Sequence, residues 1–141
     1  MKVLDLIFCD DVRNEIGNKL SLCGIYQQKI YVAPNASWPI LFPKFCIVAK
    51  IQTDGETSIK GNLLVKRDQE PEKSLSSFEC SCEGERNSFM LPFVLNLFSF
   101  VKEGKLSFCI ESVSNGKKER FEFPDYLWIC PSPAQNPLLE K

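Results

Sequence analysis

The chain has 141 residues, of which 44% are hydrophobic and 25% charged, and its formal net charge is −1. This length predicts one domain with its own core, and the scattered, nearly balanced charges exclude the clustered basic surface that nucleic-acid binding requires. Histidine is absent, so the chain lacks the commonest general acid–base and the commonest metal ligand.

The cysteine count and the hydropathy pattern indicate a reduced compartment. Seven cysteines, an odd number, do not predict a closed disulfide framework in a chain of this size. Asp5 interrupts the apolar N-terminal run, so we expect no signal peptide. No stretch approaches the ~18 uninterrupted apolar residues of a membrane span. We therefore expect a cytoplasmic protein without a membrane partner.

The N-terminal segment predicts two strands. Residues 3–12 are apolar at both odd and even positions, which is typical of a central strand covered on both faces. Gly17 and Asn18 form a turn signal, and residues 20–32 then alternate between apolar and polar side chains as a second strand does. Gly24, inside this second strand, indicates a bulge or a close backbone approach.

The middle of the chain predicts a long loop followed by a hairpin. Residues 33–44 contain three prolines, which a regular central strand does not accommodate. Residues 45–52 alternate again and predict a strand, as do residues 57–66. The dipeptide Asp54-Gly55 between them is a hairpin signal.

The C-terminal half is the most apolar. Residues 88–101 predict a strand, with a buried helix as the alternative, because periodicity does not separate the two in a short apolar run. Asn115-Gly116 is the strongest type I′ hairpin signal in the chain. The remaining strands are expected over residues 75–82, 106–113, 117–123 and 126–130.

These elements together predict an all-β fold. Eight to nine short strands with turn signals at this spacing are typical of an antiparallel β-sandwich. We expect the sandwich domain to occupy residues 1–130, and the proline-containing residues 131–141 to form a mobile C-terminal tail.

Four carboxylates near the first strand are a candidate cation site. Asp5, Asp10, Asp11 and Glu15 could supply the oxygen ligands that calcium prefers. Neighbours on a strand point to opposite faces, so Asp10 and Asp11 could chelate together only at a bulge. The plainer interpretation is a solvated strand end.

The cysteines form a weaker candidate. Cys80 and Cys82 point the same way if they share a strand, but a zinc site needs four ligands and the other five cysteines are scattered singly. No histidine is present to activate a cysteine nucleophile. We therefore expect buried, inert thiols, and assign no catalytic residue, metal or cofactor.

Aromatic residues indicate two candidate contact surfaces. Trp38, Leu41 and Phe42 make a dense apolar patch in the expected loop, and such anchors are typical of partner contacts. The alternative is that this loop closes one end of the core. Tyr126 and Trp128 would give a C-terminal edge strand an aromatic surface, through which the chain could form a homo-oligomer.

The N-terminal stretch carries a family resemblance. Residues 8–15 read FCDDVRNE and residues 17–26 read GNKLSLCGIY. This acidic–Arg–Glu strand end, followed by a Gly-x-Lys turn and a Gly-Ile-aromatic strand, resembles the opening of a family of small uncharacterised bacterial and phage β-domain proteins. The resemblance implies an intracellular bacterial or phage origin and supplies no activity, cofactor or site.

The sequence thus favours a non-catalytic binding or accessory module that acts through contact with a protein partner. Two alternatives remain open. One is a calcium- or membrane-surface-binding sandwich that uses the four carboxylates. The other is a histidine-free enzyme acting on a small or nucleotide-like ligand.

Overall fold

The computed structural model describes residues 1–82 and 84–133. These residues form nine β-strands and no helix. The strands are β1 (Lys2–Glu15), β2 (Lys19–Ile25), β3 (Lys29–Val32), β4 (Ile40–Thr53), β5 (Ser58–Arg67), β6 (Lys73–Ser81), β7 (Asn87–Phe100), β8 (Gly104–Ser114) and β9 (Lys117–Pro131).

The strands build two sheets, which confirms the predicted all-β sandwich. The four-stranded sheet has the order β2-β1-β4-β7 and is antiparallel throughout. The five-stranded sheet has the order β3-β9-β8-β5-β6, and only the pairing of β3 with β9 is parallel within it. The strand prediction for residues 88–101 is confirmed by β7.

The core lies between the two sheets. Alternate residues of β4 (Phe45, Ile47, Ala49 and Ile51) are fully buried, as their two-residue period predicts. Phe45 is the aromatic centre, since the rings of five residues pack around it within 6.2 Å. These five are Phe8, Tyr26, Phe42, Phe98 and Phe100.

A second apolar cluster lies on the outer face of the four-stranded sheet. Cys9, Cys46 and Val48 are fully buried there, although they point away from the main core. Side chains of neighbouring residues cover them, Ile7 among them. Residues 3–12 are therefore apolar on both faces because the sheet buries side chains on both faces, as expected of a central strand.

Local irregularities shift which residues face the core. A bulge between Val3 and Asp5 leaves Leu4 exposed and turns Val3, Leu6 and Phe8 inward. Leu4 therefore does not share the buried side of Leu6 and Phe8, as it would in a regular strand.

A kink in the paired strands β4 and β7 also shifts which residues face the core, near the other end of this sheet. Pro43 lies opposite Leu97, whose φ is 56°. At this point the core-facing residues change from even to odd numbers along β4 and from odd to even numbers along β7. Phe98 is therefore buried and Leu97 is exposed. Pro43 is tolerated because β4 pairs with β1 only from Cys46 onward, which leaves no second partner for its missing N–H.

Three predicted connections are wrong. Residues 20–32 are two strands in different sheets, and the proposed loop over 33–44 ends at Ile40, where β4 begins. Asp54-Gly55 carries the chain from one sheet to the other and forms no hairpin.

The C-terminal strands are also joined differently from the prediction. Residues 117–131 form one strand, β9, in which a bulge opposite β8 accommodates Pro124. The Asn115-Gly116 hairpin between β8 and β9 is confirmed, since both residues have positive φ. The Ser132 N–H donates to the Val32 carbonyl at 2.8 Å, which joins the first residues of the expected tail to β3. Residues 134–141 of that tail lie outside the described residues.

Candidate functional site

The three residues predicted to contact a partner are divided between core and surface. Trp38 and Phe42 are half-buried and pack against the main core, and the ring of Phe42 meets that of Phe100 edge-on at 4.9 Å. Leu41 is 55% exposed. Leu41 and Phe42 lie in β4 and not in a loop. Trp38 and Phe42 therefore close one end of the sandwich, and Leu41 is the member of the three that a partner could reach.

The predicted acidic cluster does not form, because each carboxylate is held separately. Asp11 forms ion pairs with Lys44 and Arg13. Hydrogen bonds from Lys44 and then Arg13 hold the pKa of Asp11 below its ordinary value. Asp5 accepts the Leu6 N–H at 2.8 Å. Asp11 is thus neutralised by its own neighbours.

Asp10 and Glu15 are also bound locally. Asp10 accepts a hydrogen bond from the Tyr26 hydroxyl, and burial, followed by this bond, raises the pKa of Tyr26. Gly24 faces the same carboxylate, since a Cβ at this position would lie 2.4 Å from Asp10 Oδ2. The close approach that the sequence predicts at Gly24 is therefore confirmed.

Glu15 accepts the Ser21 hydroxyl at 3.0 Å. In the part of the chain that the structure describes, no group of three or more carboxylates and thiols could hold a metal ion. The four carboxylates therefore do not converge on one site, because they leave the strand towards different partners.

The thiols are free and mostly buried. Cys9, Cys46, Cys109 and Cys130 are buried, and the other three are half-buried. Burial raises the pKa of Cys9 to about 11 and that of Cys109 to about 11. Thiols of this kind carry little thiolate at neutral pH and are weak nucleophiles.

At Trp128 the C-terminal strand β9 is not an edge strand, because it has a neighbouring strand on each side. β3 pairs with β9 on one side, opposite Trp128, and β8 pairs with it on the other. Two lysines lie over the Trp128 ring, Lys29 at 4.7 Å and Lys105 at 5.5 Å from the ring centre. The edge-strand prediction is wrong here, because the short β3, from the N-terminal part of the chain, pairs with this part of β9 and covers its edge.

The sequence reasoning missed a different surface, which runs along β7. This strand is an edge of the four-stranded sheet in the described structure, and its fourteen residues include no charged side chain. Val94 is 45% exposed and Leu97 67%, and Leu41 lies near Leu97 on the adjoining strand, opposite Ser99. We call Leu41, Met90, Val94 and Leu97 the β7 surface. The sequence shows β7 as an apolar run without charged residues. It does not show that the strand kinks at Leu97 and turns this side chain outward.

A polar groove lies on the outer face of the five-stranded sheet. It has two parts, with volumes of about 710 Å³ and 700 Å³, and both parts are lined by Arg120. The Arg120 guanidinium bonds three carboxylates, those of Glu72, Glu111 and Glu122, at 2.6 to 3.2 Å. Arg120 holds the pKa of Glu72 below its ordinary value. Arg120 and the three carboxylates on the floor of the groove are thus already paired with one another.

Comparisons with known proteins add no relative. No family model matches the chain, no curated protein matches it, and no solved structure matches its fold. In the described residues, no helix is long and apolar enough to cross a membrane.

Proposed function

We propose that this protein is a non-catalytic, cytoplasmic binding module of bacterial or phage origin that captures a protein partner along the β7 surface. One observation carries the proposal. β7 is a fourteen-residue edge strand with no charged side chain, and it exposes Met90, Val94 and Leu97.

Such an edge is normally protected in proteins. An exposed edge presents unpaired N–H and C=O groups and pairs readily with another chain, so proteins place charges or prolines on it. Here Pro92 and the kink at Leu97 interrupt the edge. The Arg67 guanidinium also donates to the Ser99 carbonyl at 2.7 Å, near the end of the strand. Apart from Pro92, the β7 backbone over residues 87–96 has no comparable protection within the described residues, which favours an extended partner segment as its cover.

The apolar side chains supply the anchors for this contact. Removal of exposed apolar side chains from water is the main favourable contribution to most protein–protein association. Leu41 and Leu97 are the most exposed residues of the β7 surface, at 55% and 67%. A partner strand along β7 would bring its own apolar side chains against them.

The test compares two variants in a capture experiment. The double variant Leu41→Lys with Leu97→Lys places two charges on the β7 surface. Val113→Lys places one charge on the outer face of the other sheet, where Val113 is 41% exposed. Each tagged protein is incubated with extract of its source cells, and the bound proteins are quantified by mass spectrometry.

We expect proteins that the wild type and the Val113 variant retain to be lost from the double variant. The melting temperatures of all three should agree closely, because surface substitutions change stability by about 0.5 kcal/mol or less. Identical bound proteins in all three samples would contradict the proposal.

A second candidate function rests on the polar groove. Its volume suits a small polar ligand, which keeps the histidine-free enzyme or ligand-binding alternative open. Against it, Arg120 is already bonded to three carboxylates. Screening polar metabolites by thermal shift against wild type and Arg120→Met would decide: a ligand that stabilises the wild type alone supports the groove.

A further inference from the structure

The outer face of the four-stranded sheet has a charge and hydropathy pattern that complements itself. Its central row crosses all four strands in the order Ile25, Cys9, Cys46, Val94. The row beside it contains Ile7, Val48 and Pro92. Ile25 is 59% exposed and Val94 45%, so an apolar band crosses the sheet with one exposed residue near each edge.

Charged residues flank this band in a fixed arrangement. Asp5 on β1 is the register partner of Lys50 on β4. At the opposite end of the band, Asp11 on β1 forms an ion pair with Lys44 on β4. At both ends an acidic residue of β1 lies beside a lysine of β4, and at the Asp11 end Arg13 of β1 also pairs with the carboxylate. Within the described residues Asp5 and Lys50 take part in no ion pair, so their charges remain available to a second molecule.

We propose that a second copy of this chain packs face to face on this surface, related by a two-fold axis that runs parallel to the strands between β1 and β4. Such an axis exchanges β1 with β4 and leaves each row opposite itself. Asp5 of one copy then faces Lys50 of the other, and Ile25 faces Val94. Sheets commonly pack in this aligned manner about 10 Å apart.

The charges select this axis over the other in-plane choice. An axis perpendicular to the strands would place β1 of one copy opposite β1 of the other, and it would reverse the order of the rows along the strands. Asp5 would then face the Asp11 end of the same strand, and Lys50 would face Lys44. The charges of Asp5 and Lys50 would then face the Asp11–Lys44 ion pair, with like sign opposite like sign, whereas the axis parallel to the strands places Asp5 and Lys50 opposite each other, so the pattern favours the parallel axis.

The size of the face predicts a weak dimer. Four strands spaced by about 4.8 Å, with β1 and β4 paired at seven positions of about 3.4 Å each, present on the order of 500 Å² per copy. A standard stable interface contributes about 800 Å² per partner. The dimer therefore forms and dissociates with concentration. It covers Val94 of the β7 surface and leaves Leu41 and Leu97 free for the partner proposed above.

The test is sedimentation equilibrium of the full chain over a wide concentration range. We expect the wild type to double its mass as concentration rises. Val94→Asp and Ile25→Asp should remain monomeric, although they lie on opposite edges of the sheet. Val113→Asp is the matched control, because it places the same charge at a comparable exposure on the other sheet, and it should dimerise as the wild type does.

A charge exchange tests the axis itself. Lys50→Glu places a carboxylate opposite Asp5 of the second copy and should weaken the dimer by about tenfold or more. Adding Asp5→Lys restores an opposite-charge pair across the two-fold axis and should restore most of the lost affinity. Failure of this rescue, or a wild type that stays monomeric throughout, would overturn the inference.

The outcome is separable from the proposed partner binding. The Leu41→Lys, Leu97→Lys double variant should dimerise normally while losing its partner. A monomeric wild type that still captures partners through Leu41 and Leu97 would overturn the dimer and leave the proposed function standing.

Discussion

Gly61 is the position where adding a single methyl group should disturb the fold most directly. A Cβ at Gly61 would lie 2.3 Å from the Glu111 carbonyl oxygen and 2.6 Å from the nearest atom of the Phe78 ring. Real Cβ atoms essentially never come closer than 3.0 Å to another heavy atom. β5 and β8 would have to separate locally by about 0.7 Å, in the middle of a tightly packed sheet.

The expected cost of Gly61→Ala lies at the upper end of overpacking. Such changes typically cost about 1–3 kcal/mol, and the obstacle here includes a backbone carbonyl, which cannot rotate away. We expect the free energy of unfolding to fall by about 3 kcal/mol, measured by guanidinium denaturation, and the melting temperature to fall by about 10 °C.

Two further variants separate backbone strain from steric overlap, and overlap with the Phe78 ring from overlap with the Glu111 carbonyl. Gly17→Ala meets nothing within 4 Å but has a φ of 92°, so it reports backbone strain alone and should cost about 1–2 kcal/mol. Phe78→Leu combined with Gly61→Ala removes part of the ring contact and leaves the carbonyl in place, so we expect no recovery of stability. A Gly61→Ala cost below about 1 kcal/mol, the lower end of the overpacking range, or full recovery in the combined variant, would refute this reasoning.

Three other predictions follow from the core and the titrating groups. Phe45→Ala should cost about 4 kcal/mol in denaturant unfolding, because it leaves a cavity among five aromatic rings; a loss below about 2 kcal/mol would contradict this ring's central role. In the folded protein at pH 8, Ellman's reagent should modify only the three half-buried thiols, and Cys9 and Cys109 should react only after unfolding, since burial raises their pKa to about 11. Hydrogen bonds from the Met1 amine and the Asp54 N–H lower the pKa of Glu56 to about 2 from 4.5, so its contribution to stability is present above pH 4.5 and is lost as pH falls towards 2. Denaturation curves of Glu56→Gln should therefore depend less on pH in this range, and equal slopes for variant and wild type would exclude the effect.

The two proposed surfaces belong to one sheet and overlap at Val94. The outer face from β2 to β7 packs on a second copy, whereas the backbone edge of β7 and its exposed leucines take the partner. Both depend on the same physical fact: the four-stranded sheet has apolar side chains beyond those that its core requires. In the five-stranded sheet the outer face instead carries the charged network around Arg120.

The sequence by itself determined the local structure. Alternation of apolar side chains places Phe45, Ile47, Ala49 and Ile51 in the core, because a pleated strand directs every second side chain to one face. Asn115-Gly116 fixes a hairpin because both residues tolerate positive φ. These features depend on neighbours within a few residues, and the sequence contains those neighbours.

Tertiary structure alone decided the strand order and the positions of the surfaces. The turn at Asp54-Gly55 crosses between sheets because β5 pairs with β8, which is distant along the chain, and with β6, which follows it, and not with β4. The four carboxylates separate because Lys44 and Tyr26 arrive from other parts of the chain. Leu97 faces solvent because it lies opposite Pro43, far away in the sequence. Long-range pairing sets each of these outcomes, and a local pattern of side chains does not encode which distant strand will lie beside it.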